Sequence, residues 1–265
     1  MAVRQPAVAG MFYPANRNEL RAMIAGYLAS AEAGSSVPKA IIAPHAGYIY
    51  SGPIAASAYA RIARAHDIIK RVILLGPSHR ITLRGLAVPS AETFSTPLGL
   101  IAVDRQAIGE LLSLPQVRVA DDAHALEHSI EVQLPFLQEV LDDFSIVPLV
   151  VGDATADEVG AIIDILWGGS ETLIVISSDL SHYHDYETAR KLDRLTSQAI
   201  TELRPDDIYF DHACGRIPIS GLLTVAQRRG LHVDVIDLRN SGDTAGPRDH
   251  VVGYGAYVFE QDRRH

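Results

Sequence analysis

The feature that most restricts the fold of this chain is a series of short, largely apolar runs that end at proline, glycine or serine. They are residues 39–43, 71–75, 145–151 and 172–176. Apolar runs without alternating polar residues are typical of strands buried on both faces of a sheet. Amphipathic stretches that predict helices lie between and after them, at residues 53–65, 129–141, 156–167, 187–203 and 218–229. This alternation predicts an α/β fold with a mostly parallel central sheet flanked by helices.

The end of the chain has a different pattern. Residues 232–238 and 251–259 have the character of strands, and a loop rich in Gly, Asp and Pro separates them at residues 240–247. We expect these two strands to form an antiparallel extension of the sheet. Because the sequence has no internal repeat and no linker-like segment, it predicts a single domain over residues 1–265.

Composition excludes several classes of function. The chain carries 23 Lys and Arg residues against 32 Asp and Glu residues, a net charge of -9. This charge argues against nucleic acid or an anionic membrane as the main partner. The single cysteine cannot form an internal disulfide, and no apolar run is long enough to span a bilayer. Together with an N-terminus unlike a signal peptide, these features predict a cytoplasmic protein.

Three histidines follow the predicted strands at equivalent positions. His45 follows the first run, His79 the second, and His182 lies just past the fourth. Sites in open α/β sheets form beyond the carboxyl ends of the strands, so these side chains are expected to converge. Imidazole is a common transition-metal ligand and a good general base near neutral pH. The alternative for each of them is a loop histidine that hydrogen-bonds to nearby backbone.

Two imidazoles need an anion to complete a metal site with open positions. Asp179, Glu127, Glu131 and Cys214 are all candidates for this anion. Cys214 precedes a predicted helix and lies close to Arg216, which predicts a depressed thiol pKa. The alternative is that this cysteine is a small buried apolar residue.

Residues 127–131 carry a further candidate group. His128 and Glu131 are three positions apart and would share one face of a helix, where they could orient a ligand histidine. The alternative is that the acidic residues cap the N-terminus of that helix. Aromatic residues at 12–13 and at Tyr48 and Tyr50 are candidates for lining a pocket, or for ordinary packing at the edge of the sheet.

Six motifs in order along the chain resemble those of one family. They are PAVAGMFYP at residues 6–14, IIAPHAGY at 41–48, LGPSH at 75–79, EHSIEVQLP at 127–135, SSDLSH at 177–182 and CGRIPI at 214–219. This chain thereby resembles the Memo family over nearly its whole length. Bacterial and archaeal members are often called AmmeMemoRadiSam system protein B. The family is similar in fold to the class III extradiol ring-cleaving dioxygenases.

The resemblance implies roles for individual residues. His45 and His79 would be imidazole ligands, and Cys214 would replace the glutamate that the dioxygenases use. His182 would match their acid/base histidine, and Asp179 would lie beside it. Phe12 and Tyr50 match pocket aromatics, and Arg216 belongs to the same group of pocket residues.

The expected function is therefore a non-haem metal redox site, with Fe(II) as the metal and copper or zinc as alternatives that a thiolate also tolerates. A catalytic zinc hydrolase is a second possibility. The third is a binding module without turnover that holds a small molecule, peptide or protein. The partners that the resemblance implies are an AMMECR-type protein and a radical-SAM enzyme.

Overall fold

Four parallel strands form the centre of the sheet in the computed structural model, which describes residues 2–261. The strands are β1 (Val3–Arg4), β2 (Ala40–Ala43), β3 (Arg71–Pro77), β4 (Leu86–Val88), β5 (Thr93–Thr96), β6 (Gly99–Val103), β7 (Val117–Val119), β8 (Ser145–Val151), β9 (Thr172–Ser177), β10 (His182–His184), β11 (Leu231–Asn240) and β12 (Val251–Gln261). The helices are α1 (Arg17–Ala29), α2 (Tyr48–Tyr59), α3 (Arg105–Leu111), α4 (Asp121–Ala125), α5 (Leu134–Val140), α6 (Ala156–Ile165), α7 (Tyr186–Thr201) and α8 (Arg216–Arg229). Short 3₁₀ helices cover Ala63–Ala65, Glu131–Gln133, Pro205–Asp207 and Ser241–Asp243.

The strand order confirms the predicted fold class. The main path through the sheet is β1-β5-β6-β8-β3-β9-β2-β12-β10, and β8, β3, β9 and β2 pair with one another in parallel. These are the four apolar runs of the sequence. Side chains such as Ile41, Val72 and Ile174 are completely buried. Helix α2 packs against β2 and β12, and α8 packs against β3 and β9, so helices cover the apolar strands.

The C-terminal extension is also as predicted. Strands β11 and β12 pair antiparallel from Leu231 opposite Gln261 to Asn240 opposite Gly253. Strand β12 pairs antiparallel with β2 in turn, which joins this hairpin to the parallel part of the sheet. Among residues 2–261, no helix has both the length and the apolar character needed to cross a bilayer.

Two predicted helices differ from the structure at their starts. The helix expected at residues 53–65 begins earlier, at Tyr48, and contains Pro53 within it. The helix expected at residues 129–141 begins only at Leu134, after a 3₁₀ turn. Proline favours the first turn of a helix because it has no N–H to donate, which matches Pro135 at the second position of α5. As a result, Glu127 and His128 lie in a loop rather than on a helix face.

Candidate metal centre

Three imidazoles meet at the carboxyl edge of the sheet. One nitrogen from each of His45, His79 and His128 lies within 4.8 Å of the other two. The His45 ring centroid is 5.2 Å from that of His79 and 5.5 Å from that of His128. The His79 and His128 rings stack at 4.7 Å. Strands β2 and β3 deliver the first two residues, whereas the loop before α5 supplies His128, which the sequence had assigned to an orienting role.

The hydrogen bonds of His45 select its tautomer. The Ser177 hydroxyl donates to the Ser129 carbonyl at 2.6 Å, so it accepts from His45 Nδ1 at 2.8 Å. Nδ1 therefore carries the hydrogen, and the lone pair of Nε2 lies 3.4 Å from Cys214 Sγ. Burial, with smaller effects of His79 and His128, holds the pKa of His45 well below its ordinary value. The imidazole is therefore neutral, as a metal ligand must be.

A buried carboxylate, Glu127, holds the His79 imidazole and the backbone of His128. It accepts hydrogen bonds from His79 N–H at 2.6 Å and from His79 Nδ1 at 2.9 Å. It also accepts from the backbone N–H groups of His128 and Ser129, each at 2.9 Å. Burial alone would raise the pKa of Glu127, but the hydrogen bonds from His79 and Ser129, together with the positive charge that His79 carries only when protonated, lower it to about 2. An ionised carboxylate only accepts, so His79 donates through Nδ1 and keeps its Nε2 lone pair free.

Cys214 lies beside His45 but outside the compact group of three imidazoles. Its Sγ accepts from the Asp179 N–H at 3.3 Å. The next residue, Gly215, packs closely against Ser178. A Cβ at position 215 would stand 2.6 Å from Ser178 Cβ, so only glycine fits there without a shift. The predicted depression of the thiol pKa is wrong. Burial raises the pKa of Cys214, the Asp179 charge raises it further, and the hydrogen bonds to sulfur do not compensate.

Asp179 and His182 complete the thiol side of the site. Asp179 Oδ1 accepts from the His45 N–H at 2.7 Å, which joins the ends of β2 and β9. Burial raises the pKa of Asp179, although the nearby His182 opposes this shift. His182 Nδ1 lies 2.8 Å from the Leu180 carbonyl, which can only accept, so Nε2 is the basic nitrogen.

The site opens on one side into a cavity of about 800 Å³. His79, His182, Cys214 and Arg216 line this cavity. Phe12 and Tyr50 are not among its lining residues. The Phe12 ring centroid lies 4.8 Å from that of His128, and Tyr50 packs half-buried against the core. The structure therefore places Phe12 behind the imidazoles rather than along the cavity wall.

Glu131 does not contact the imidazoles, contrary to the predicted orienting role. It forms a buried ion pair with Arg4. Its carboxylate also accepts from Ala7 N–H at 2.7 Å, Val8 N–H at 3.0 Å and the Tyr13 hydroxyl at 2.5 Å. The reason is the late start of α5, which removes the helical face that residues 128 and 131 were expected to share. The orienting carboxylate is Glu127, whose position directly before His128 was the available signal.

Comparison with known proteins places the chain among established relatives. A sequence model described as Memo-like protein matches residues 4–258. A MEMO1 family protein of Aquifex aeolicus is 38% identical over 98% of this chain and 100% of that protein. A MEMO1 family protein of Methanosarcina acetivorans is 39% identical over 98% of this chain and 100% of its own length.

A solved structure, that of the uncharacterized protein JW3007 from Escherichia coli K12, shares the fold. Its TM-score is 0.50 at 17% identity, over 83% of this chain and 98% of that one. This likeness concerns the fold alone. The family model and the curated relatives span the strands and loops that form the site. By these matches, the chain belongs to the Memo family.

Proposed function

We propose that this protein is a metal-dependent oxidoreductase of unknown substrate, with Fe(II) as its metal and copper as the alternative. His45, His79 and Cys214 would be the ligands. The proposal depends chiefly on one observation: three imidazole nitrogens lie within 4.8 Å of one another beside a thiol, at the end of an open cavity. Such a donor set with an accessible side is typical of a transition-metal site.

The protonation states of the donors support this proposal. His45 and His79 both donate through Nδ1, which leaves both Nε2 lone pairs for a metal. The buried Nδ1 of His128 has no hydrogen-bond partner among residues 2–261 and lies 3.5 Å from Glu127 Oε1. Imidazole ligands held by a carboxylate or hydroxyl are the usual arrangement around protein-bound metals.

The residues around the metal would then have defined tasks. A bound iron or copper ion would supply one-electron redox chemistry and an open coordination position. His182, whose basic Nε2 has no hydrogen-bond partner among residues 2–261, would accept or return a proton at the cavity end of the site. Asp179 holds the His45 backbone and places a carboxylate near His182. The apolar part of the cavity wall would contact the body of the substrate.

His128 competes with Cys214 for the third ligand position, because its ring is in the compact imidazole group. The two assignments differ in consequence. Thiolate ligation requires the Cys214 thiol to lose its proton, whereas His128 binds as a neutral base. Cys214 is preferred here because its sulfur lies 3.4 Å from His45 Nε2.

The test is metal stoichiometry after anaerobic loading with Fe(II). We expect His45→Ala and Cys214→Ser to lose most of the bound metal, and His128→Ala to keep it. His232→Ala is the matched control, because His232 is exposed on β11 and its side chain pairs with Asp234, away from the site. Full metal content in both His45→Ala and Cys214→Ser would contradict the proposed ligands. Loss in His128→Ala with retention in Cys214→Ser would assign the third position to His128.

Turnover requires a separate measurement. We expect iron-loaded protein to consume oxygen in the presence of a thiol or a catechol, and His182→Ala to slow consumption while retaining metal. Zinc in protein purified without chelators or added metal, without oxygen uptake after iron loading, would favour a hydrolase instead. A redox role of this kind suits the reducing cytoplasm that the single free cysteine predicts.

A binding module without turnover is the second candidate, and one observation favours it. Large apolar side chains are exposed next to candidate site residues in the sequence, at Met11, Ile49, Leu126 and Tyr183, and the exposed Phe210 lines the cavity itself. Where such side chains are contiguous, they mark interaction surfaces. The partners would be the AMMECR-type protein and the radical-SAM enzyme that family membership suggests. Binding of either partner by metal-loaded protein that consumes no oxygen would support this candidate.

A further inference from the structure

The cavity beside the metal centre has two chemically different parts. His79, His182 and Cys214 form its reactive end. Much of the remaining wall is apolar and is contributed by Ile81, Leu83, Val151, Ala213, Ile217 and Pro218. A volume of about 800 Å³ falls within the range of cavities that hold small organic molecules. The walls therefore suit a ligand with an apolar body.

Two arginines line this cavity, Arg80 and Arg216, and neither forms an ion pair among residues 2–261, but only Arg216 is half-buried. Arg216 is half-buried, lines the cavity and lies with its guanidinium carbon 5.8 Å from the centre of the Phe210 ring. Among residues 2–261 it forms no ion pair and no side-chain hydrogen bond. Other arginines of the chain, such as Arg71, Arg228 and Arg239, pair with aspartates. Arg216 thus presents unused hydrogen-bond donors within the cavity.

The other charged groups of the cavity are better hydrated. Asp153, Asp211 and Arg80 also line it, but all three are exposed to solvent. Water therefore screens these charges, whereas the half-buried guanidinium gains more from a counter-ion. Arg216 and Cys214 line the same cavity, so an anion bound to the guanidinium would share that cavity with the reactive end.

We infer that the cavity binds a small organic anion, with its carboxylate on Arg216 and its apolar body along Ile81, Leu83 and Ile217. The planar guanidinium donates two parallel hydrogen bonds to a carboxylate, a geometry that lysine cannot reproduce. The inference gives a substrate class to the proposed enzyme. It rests on the proposed function only for the conversion of the bound anion beside the metal. Binding itself requires the cavity and Arg216, not the metal.

The experiment compares two probes of the same shape, 4-fluorobenzoate and 4-fluorobenzamide, by ¹⁹F NMR titration of metal-free protein. We expect saturable binding of the benzoate and at least about tenfold weaker binding of the amide, because only the carboxylate pairs with the guanidinium. Arg216→Met should weaken benzoate binding by about tenfold or more and leave amide binding unchanged. Arg216→Lys should have an intermediate effect.

Arg118→Met is the matched control, because Arg118 is exposed on β7 and does not line the cavity. It should bind both probes as the wild-type protein does. Thermal unfolding of each variant checks that it is folded, and Arg216→Lys still tests the inference if Arg216→Met does not fold. Equal affinity for the two probes, no benzoate binding at millimolar concentration, or benzoate binding unchanged in both Arg216 variants would overturn the inference.

A zinc-loaded sample separates this inference from the proposed function. Benzoate bound only when zinc is present, and equally in Arg216→Met, would assign the anion to the metal and overturn the role of Arg216. Benzoate bound through Arg216 in protein that takes up no metal would support the inference while contradicting the proposed oxidoreductase. The metal stoichiometry of Arg216→Met should equal that of the wild-type protein.

Discussion

Two regions of this protein are built around glutamates only four residues apart. In the imidazole region, Glu127 accepts hydrogen bonds from His79, His128 and Ser129. In the N-terminal anchor, Glu131 accepts from Arg4, Ala7, Val8 and Tyr13 and holds the start of the chain against the domain. Both side chains are almost completely buried. Burial of a carboxylate therefore does not distinguish a functional group from a structural one, whereas the identity of its partners does.

The two regions also share a residue. Arg4 pairs with the Glu131 carboxylate, and its other terminal nitrogen donates to the Glu127 carbonyl oxygen at 2.6 Å. The N-terminal anchor therefore also fixes the backbone from which the imidazole-holding carboxylate projects. The comparison predicts that damage to the anchor acts mainly on stability, and damage to the imidazole region mainly on the site.

The largest expected effect is that of Glu131→Ala. It leaves the Arg4 guanidinium buried without its carboxylate, which costs about 3–5 kcal/mol of unfolding free energy. Urea denaturation monitored by circular dichroism measures the loss. The double variant Arg4→Met/Glu131→Leu is the control and should lose less, because it leaves no unpaired charge. A loss below about 1 kcal/mol in Glu131→Ala would show that the anchor does not depend on this pair.

Acid should remove the contribution of Glu127 over a defined pH range. Its pKa is lowered from 4.5 to about 2, so the folded state binds this proton less readily than the unfolded state. The stabilisation, about 3 kcal/mol at most, is present above pH 4.5 and is lost as pH falls towards 2. Urea titrations of metal-free protein across this range should show the loss, and Glu127→Gln should lack that component. The same pH slope in both proteins would contradict the assignment.

Glu127→Gln should have a more selective effect at neutral pH, on metal affinity. A neutral amide cannot hold His79 as an ionised carboxylate does, and loss of such support typically weakens metal binding by about 10–100-fold. Competition with a chromogenic zinc chelator measures the affinity. The ¹⁵N chemical shifts of the His79 ring should show a smaller population of the Nδ1–H tautomer than in the wild-type protein. Unchanged affinity and unchanged shifts would mean that Glu127 is only structural, like Glu131.

The smallest expected effect is that of Glu139→Gln. Glu139 belongs to the following helix α5 and pairs with Arg21 at 2.9 Å, but the arginine side chain is 54% exposed. A surface pair of this kind contributes about 0.2–1 kcal/mol. The variant should unfold nearly as the wild-type protein does and bind metal with equal affinity. A loss as large as that of Glu131→Ala would show that burial does not set the difference between the two arginine–glutamate pairs.

Much of the fold was predictable because its signals are local. The run at residues 145–151 became β8 without change, and the helix expected at residues 218–229 became Arg216–Arg229. Strands β1, β4 and β7 were not predicted, since each has only two or three residues and no periodicity to detect. Helix α1 was also missed, although the Asn16 side chain caps it by accepting hydrogen bonds from the Asn18 and Glu19 N–H groups.

Part of the candidate site was predictable, because some of its signals are also local in the sequence. His45 and His79 follow buried strands directly, and the ends of parallel strands lie together at one edge. The role of His128 depends on where α5 begins, which Pro135 and the packing of the loop decide together. The thiol pKa of Cys214 could not be read from its neighbours in sequence, because burial and Asp179 outweigh a nearby arginine.

The sequence by itself determined the α/β fold, the edge of the sheet where the site forms, and the family. These follow from apolar periodicity and from motifs that are continuous along the chain. Only the tertiary structure decided that Glu127 rather than Glu131 supports the imidazole group, that His128 joins it, and that Arg216 has no acidic partner among the residues that the structure describes. Hydrogen-bond partners and desolvation depend on residues distant in sequence, such as Arg4 and Glu131, and folding alone brings these together.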